Sequence, residues 1–128
     1  MKPVHSISRP SISSRDGNNC FPAVHIDDFA QLYRLALEKA PAGSIYNITD
    51  DSTMTFNEVF TKLAKANGAD IRVEPWALED ARQVFAQFAD AFTMDQIVSS
   101  DKAKRELGWL PKAKSLFEEI ASGAYIAL

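Results

Sequence analysis

Residues 17–36 read GNNCFPAVHIDDFAQLYRLA, and the fold turns on how this stretch is read. Residues 21–26 (FPAVHI) are a short apolar run that reads as extended chain, with Pro22 placing it at a strand start or a sheet edge. Two acids follow, Asp27 and Asp28, and predict a helix start, because a cap carboxylate accepts an orphan backbone N–H and complements the helix dipole. Asp28 and Gln31 have capping-box spacing, and Phe29, Leu32, Tyr33 and Ala36 make one apolar stripe. The helix is expected to reach about Lys39, with Pro41 and Gly43 stopping it.

The same alternation continues along the chain. Residues 44–49 (SIYNIT) alternate and are rich in strand formers. Thr55 to Glu58 is a second capping box, opening a helix with Phe56, Val59, Phe60, Leu63 and Ala64 on one face and a glycine stop at Gly68. Residues 71–74 (IRVE) read as a short strand ended by Pro75. A third helix over about 78–91 aligns Ala81, Val84, Phe85, Phe88 and Phe92. Ser99 or Ser100 opens a short helix ended by Gly108. Ser115 and Glu118 form a third capping box, with Leu116, Ile120 and Ala124 inward.

The order β-α-β-α-β-α-α-α predicts an α/β fold, a partial Rossmann-like layer with a helix-rich C-terminal part. Three short parallel strands joined by helices need cover on both faces and leave two edges to manage. Such a chain sits more comfortably as the extension of a larger sheet than as a finished domain. Residues 1–19, with prolines at 3 and 10 and five serines, are expected to be an irregular lead, and residues 20–128 the α/β module.

With 128 residues, 46% apolar and 24% charged, the chain has a globular balance and is one domain or a piece of one. A net charge of −3 argues against a general nucleic-acid or anionic-membrane binder. Lys102, Lys104 and Arg105 form the tightest basic cluster and read as a solvated face. Cys20, the single cysteine, excludes an internal disulfide and a cysteine-rich metal site. The N-terminus has no apolar core of a secretory signal and no run approaches a membrane span, so cytoplasmic location is the default.

Four segments carry a resemblance. They are Gly17, Asn19, Phe21 to His25, Asp27 and Asp28; Leu32 to Glu38 running into Ala42 to Asn47; Phe56 to Val59; and Ser99 to Trp109 with Pro111. In register over about a hundred residues, this set resembles the C-terminal, substrate-side half of extended and atypical short-chain dehydrogenase/reductases, the NAD-dependent epimerase/dehydratase family. That family often has tryptophan where this chain has Phe21.

The resemblance implies a parent activity of NAD(P)-dependent oxidation, reduction or epimerisation of a small molecule, with NAD or NADP as cofactor. The family holds the dinucleotide in a glycine-rich turn and transfers a proton through a Tyr-x-x-x-Lys pair. Here the glycines stand at 17, 43, 68, 108 and 123, never at that spacing. Tyr33 and Tyr46 have Leu37 and Asp50 four positions on, and Tyr125 has no residue there. Only sixteen residues precede Gly17. The expectation is therefore a truncated protein of this kind, binding no cofactor and not redox-active alone, with no catalytic residue assigned. Self-association or a partner chain would complete it. Two alternatives stand beside it: a repurposed isomerase or cyclase using the residual pocket, and a non-catalytic dimerisation or binding module.

His25, Phe85 and Phe88 are the candidate substrate-binding residues: a histidine beside two acids and an aromatic stripe near Trp76 that can line an apolar pocket. The plainer reading of His25 is a strand-end histidine bonded to a neighbouring loop, and that of the stripe is core. Asp50, Asp51 and Glu58 match no calcium loop, so no metal site is expected. A nucleophilic role for Cys20 would need an activating base, and Trp109 is expected to pack where its helix ends.

Overall fold

The computed structural model describes residues 17–68 and 76–126, so most of the N-terminal lead and the strand expected over 71–74 lie outside the described residues. The elements are β1 (Cys20–Phe21), α1 (Ile26–Lys39), β2 (Met54–Thr55), α2 (Phe56–Ala66), α3 (Leu78–Phe85), α4 (Phe88–Phe92), α5 (Asp101–Leu107) and α6 (Leu116–Ala121). The class is α/β and helix-rich, as the alternation predicted.

The pairing differs from the parallel layer expected. β1 and β2 are antiparallel, with Cys20 opposite Thr55 and Phe21 opposite Met54. The reason is that residues 50–57 fold back along 17–23. The Asp50 N–H donates to the Ala23 carbonyl at 2.9 Å, and the Asn57 N–H donates to the Gly17 carbonyl at 2.9 Å. The extended reading of 21–24 survives in its side chains. Phe21 and Ala23 pack on one core and Val24 on the other, the period of two that a pleated chain imposes.

Those two cores organise the molecule. α1 packs on α5 around Leu32, Leu35, Ala103, Leu107 and Trp109. α2 packs on α6 around Met54, Val59 and Ile120. The buried face of α1 is Asp28, Leu32 and Leu35, while Phe29 and Tyr33 of the expected stripe point outward. Trp109, fully buried at the end of α5, packs against that face and donates its indole N–H to the Asp28 carbonyl at 3.0 Å.

Residues 44–49 keep the strand-like alternation, Tyr46 and Ile48 inward and Ile45 outward, yet belong to no ladder among the described residues. Their polar groups turn to α5. The Thr49 N–H donates to Ser100 Oγ at 2.7 Å, Ser100 Oγ donates to the Thr49 carbonyl at 2.8 Å, and Lys102 Nζ donates to the Ile45 carbonyl at 2.9 Å. Lys104 pairs with Asp51. Lys102 and Arg105 are exposed, as the solvated-face reading expects, while Lys104 is half-buried against Asp51, just beyond this segment.

The third helix is two. Ala86, at φ 50° and ψ −131°, breaks it between α3 and α4. An eight-residue separation spans about 12 Å of straight helix, beyond a direct bond. The break brings Asp90 back to Arg82, Oδ1 to Nη2 at 2.6 Å. Ala81 and Ala89, one in each helix, are fully buried as α3 packs on α4. Ala124, expected inward, is exposed because α6 ends at Ala121.

The predicted caps at Thr55 and Ser115 are complete capping boxes, and Gly108 closes α5 at φ 67°. The Thr55 N–H and hydroxyl hold the Glu58 carboxyl below its ordinary range, and the Ser115 N–H and hydroxyl do the same for Glu118. At Asp51 burial opposes ionisation, but the bonds from Lys104 and the Ser100 N–H outweigh it and the carboxyl is again depressed. A carboxyl depressed on folding stabilises above its unfolded value, near 4, and loses that contribution as pH falls through the folded one. The urea midpoint is therefore expected to stay level from about pH 7 to 5 and to fall below about pH 4. Lys104→Met should make that acid fall shallower.

Candidate functional site

The corner from Gly17 to His25 is set by four local devices. Gly17 sits at φ +72°, and a Cβ there would lie 2.9 Å from the Asn57 Cβ, so glycine alone fits. Asn19 is buried, and its Nδ2 donates to the Phe92 carbonyl at 2.8 Å and the Met94 carbonyl at 3.3 Å. The Cys20 N–H donates to Asp95 Oδ1 at 2.8 Å, and the Cys20 carbonyl accepts the Gln96 N–H at 2.9 Å. Residues 92–96 are thereby laid beside the corner. Asn19 Oδ1 is buried without a hydrogen-bond partner among the described residues. Desolvation, reinforced by Asp95 and Glu58, pushes the Cys20 thiol up, so it stays protonated and is no activated nucleophile.

This fastening assembles an aromatic surface. Phe21 stacks on Phe56 at 4.4 Å between centroids, and Phe56 meets Phe60 at 6.3 Å and the edge of Phe92 at 6.1 Å. Phe92 meets Phe85 at 6.1 Å, and Phe85 meets Trp76 at 6.1 Å. Phe60, Phe85 and Phe92 each keep about two-fifths of their surface exposed, so this is a half-open apolar face and not a closed core. Phe88, predicted beside Phe85, is 75% exposed and joins no ring pair among the described residues. The break at Ala86 separates the two. These rings offer dispersion and edge-to-face contacts to an apolar or aromatic ligand, and they carry no group for proton transfer.

His25 stands elsewhere. It is the N-cap of α1, the role expected of Asp27 or Asp28, with Nδ1 accepting the Asp27 N–H at 3.2 Å. A ring nitrogen that accepts carries no hydrogen, so the neutral imidazole keeps its proton on Nε2. His25 lines a cavity of about 370 Å³ with Asp50, Lys114, Glu119 and Tyr125, against the chain at Pro22 to Val24. Among the described residues no hydrogen bond or ring contact joins His25 to Phe85 or Phe88. Asp28, freed from capping, accepts the Lys112 N–H and the Ala113 N–H on its two oxygens, each at 2.9 Å.

The stripe seen in the sequence supplies Phe85 and Phe92 with Trp76 nearby, His25 supplies a cavity residue, and Phe56 and Phe60 lie on the apolar face expected of α2. Asn19, within the corner motif, is the fastener that lays residues 92–94 beside them. Lys114 and Tyr125 gave no local signal, since only the packing of the α6 region carries them to His25. The acids weighed for metal binding have other duties. Asp50 accepts the Ser52 N–H at 2.8 Å, Asp51 pairs with Lys104 and Glu58 closes its capping box. No helix among the described residues is long and apolar enough to cross a membrane.

No known family profile matches the chain. It is 36% identical over 110 residues to the uncharacterised protein C2A9.02 of Schizosaccharomyces pombe, covering 86% of this chain and 37% of that protein. It superposes on the UDP-glucose 4-epimerase of Thermotoga maritima, solved with UDP-glucose, at a TM-score of 0.63 and 28% identity over 86% of this chain and 32% of that one. The dTDP-glucose 4,6-dehydratase of Bacillus anthracis, solved with NAD, gives a TM-score of 0.60 at 22% identity over 83% of this chain and 31% of that one. The chain spans about a third of the length of each. The fold is thus that of part of a short-chain dehydrogenase/reductase-like epimerase or dehydratase.

Proposed function

We propose that residues 17–126 form the substrate-side portion of an NAD(P)-dependent short-chain dehydrogenase/reductase-like protein that oxidises, reduces or epimerises a small molecule. The likeness to the UDP-glucose 4-epimerase over 86% of the chain carries this reading. NAD or NADP is held by a nucleotide-binding portion, since none of the five glycines here belongs to a dinucleotide cradle. Substrate contacts fall to the aromatic surface through Phe85, with Phe88 beyond the break at Ala86, and to His25 in its separate cavity.

The nucleotide-binding portion, in the same polypeptide or another, packs on the outer side of α1 and along residues 44–49. Ile26, Tyr33 and Leu37 are 70%, 60% and 80% exposed, and Ile45 is 80% exposed. An apolar stripe beside an extended segment that joins no ladder among the described residues is a template for strand addition. Two measurements test this on the 128-residue chain. Fluorescence titration with NADH and NADPH should show no saturable binding, and stoichiometric capture of either would overturn the division of labour. Sedimentation should show concentration-dependent association that Tyr33→Asp with Leu37→Asp abolishes while circular dichroism is unchanged. Loss on Phe88→Asp instead would move the interface to the aromatic surface.

A second reading, a non-redox isomerase or cyclase, is favoured by the His25 cavity. It gathers an imidazole, a phenol, an ammonium and two carboxyls around one space. Turnover without added nicotinamide would select it over the first.

A further inference from the structure

We propose that the groove between α2 and α6 binds a small amphipathic anion, an aliphatic or aryl monocarboxylate or sulfonate. The groove encloses about 400 Å³, at the small end of ligand sites. Its floor is Ala66, Phe117, Ile120, Ala121 and Ile126, all apolar. Among the described residues its charged side chains are Lys62 and Lys65, one turn apart on α2.

The charge here runs against that of the whole chain, which carries −3. Arg34, Arg82, Lys104 and Arg105 each have a carboxylate within ion-pair distance. Lys62 and Lys65 have none at that distance among the described residues, as is true of Lys39, Lys102, Lys112 and Lys114, and Lys62 is drawn to Glu58 only at longer range. The nearby acids are committed elsewhere. Glu58 closes the Thr55 cap, Glu118 closes the Ser115 cap, and Glu119 lines the separate His25 cavity. Lys62 Nζ lies 4.8 Å from the centroid of the Phe117 ring. An ammonium held over an aromatic face, beside a second one, meets an anionic head, while the body lies on Phe117, Ile120 and Ile126. A neutral or cationic amphiphile would leave both lysines unmatched.

The proposal is independent of the redox reading and is tested on the full chain by calorimetry, with amide chemical shifts to place the ligand. Octanoate is expected to bind at one site, shifting residues of α2 and α6, about fourfold more tightly for each methylene added from hexanoate upward. Lys62→Glu with Lys65→Glu should weaken octanoate about tenfold or more. The control pair Lys39→Glu with Lys112→Glu, two lysines outside the groove, should leave it unchanged. Octan-1-ol binding as tightly as octanoate would overturn the proposal, as would equal loss in the control pair. No octanoate binding, or shifts that map to α1 or the Phe85 surface, would overturn it as well.

Discussion

Trp109→Ala is expected to lower the unfolding free energy by about 3–5 kcal/mol, read as a shifted urea midpoint with an unchanged denaturant slope. Trp109 is fully buried within the α1–α5 core, among Leu32, Leu35, Ala103 and Leu107. Removing the indole leaves a cavity between two elements joined by few other means. It also removes the N–H that holds the Asp28 carbonyl at 3.0 Å. Trp109→Phe separates the two contributions. Most apolar contact is kept and the hydrogen bond is lost, so its cost should be about 1–2 kcal/mol from the bond plus a smaller cavity. Equal losses for Phe and Ala would mean that the hydrogen bond, and not packing, sets the rotation of α1.

Asp28→Ala should cost about 2–6 kcal/mol, since two partly buried backbone N–H groups each lose their acceptor at about 1–3 kcal/mol apiece. Those groups belong to Lys112 and Ala113, and the bonds bind the turn after Trp109 to the first turn of α1. Asp28→Asn has nearly the same volume but offers one oxygen for two donors, so it should recover only part of the loss. The double variant Trp109→Ala with Asp28→Ala should cost less than the sum, because both changes unfasten one joint. Strict additivity would show that the two anchors act separately. If Asp28→Ala cost under about 0.5 kcal/mol, as at an ordinary exposed surface position, the tethering role would be wrong.

The capping boxes at Thr55 and Ser115, the glycine stop at Gly108 and the extended character of 21–24 and 44–49 were all legible from single segments. Each depends on bonds or alternation within a few residues. The aromatic surface was half legible. Phe85 lay on a visible stripe, but its meeting with Phe92 required the break at Ala86, and the placement of Phe92 against Phe56 followed from Asn19 reaching residues more than seventy positions away.

The Asp27-Asp28 corner shows where local reading stops. Chemistry within a few residues offers Asp27 and Asp28 as caps there. In the fold His25 takes the cap, because Lys112 and Ala113 arrive to claim the Asp28 carboxyl and Trp109 arrives to bury that side of the helix.

From the sequence alone came the α/β class, the places where most helices start and stop, and the absence of a glycine cradle at dinucleotide spacing. Tertiary structure alone decided which face of α1 is inside and that 50–57 pairs antiparallel with 17–23. The physical reason is range. Caps and stops are closed by bonds within one helical turn, whereas facing and pairing depend on partners that return from about 30 to 85 residues along the chain.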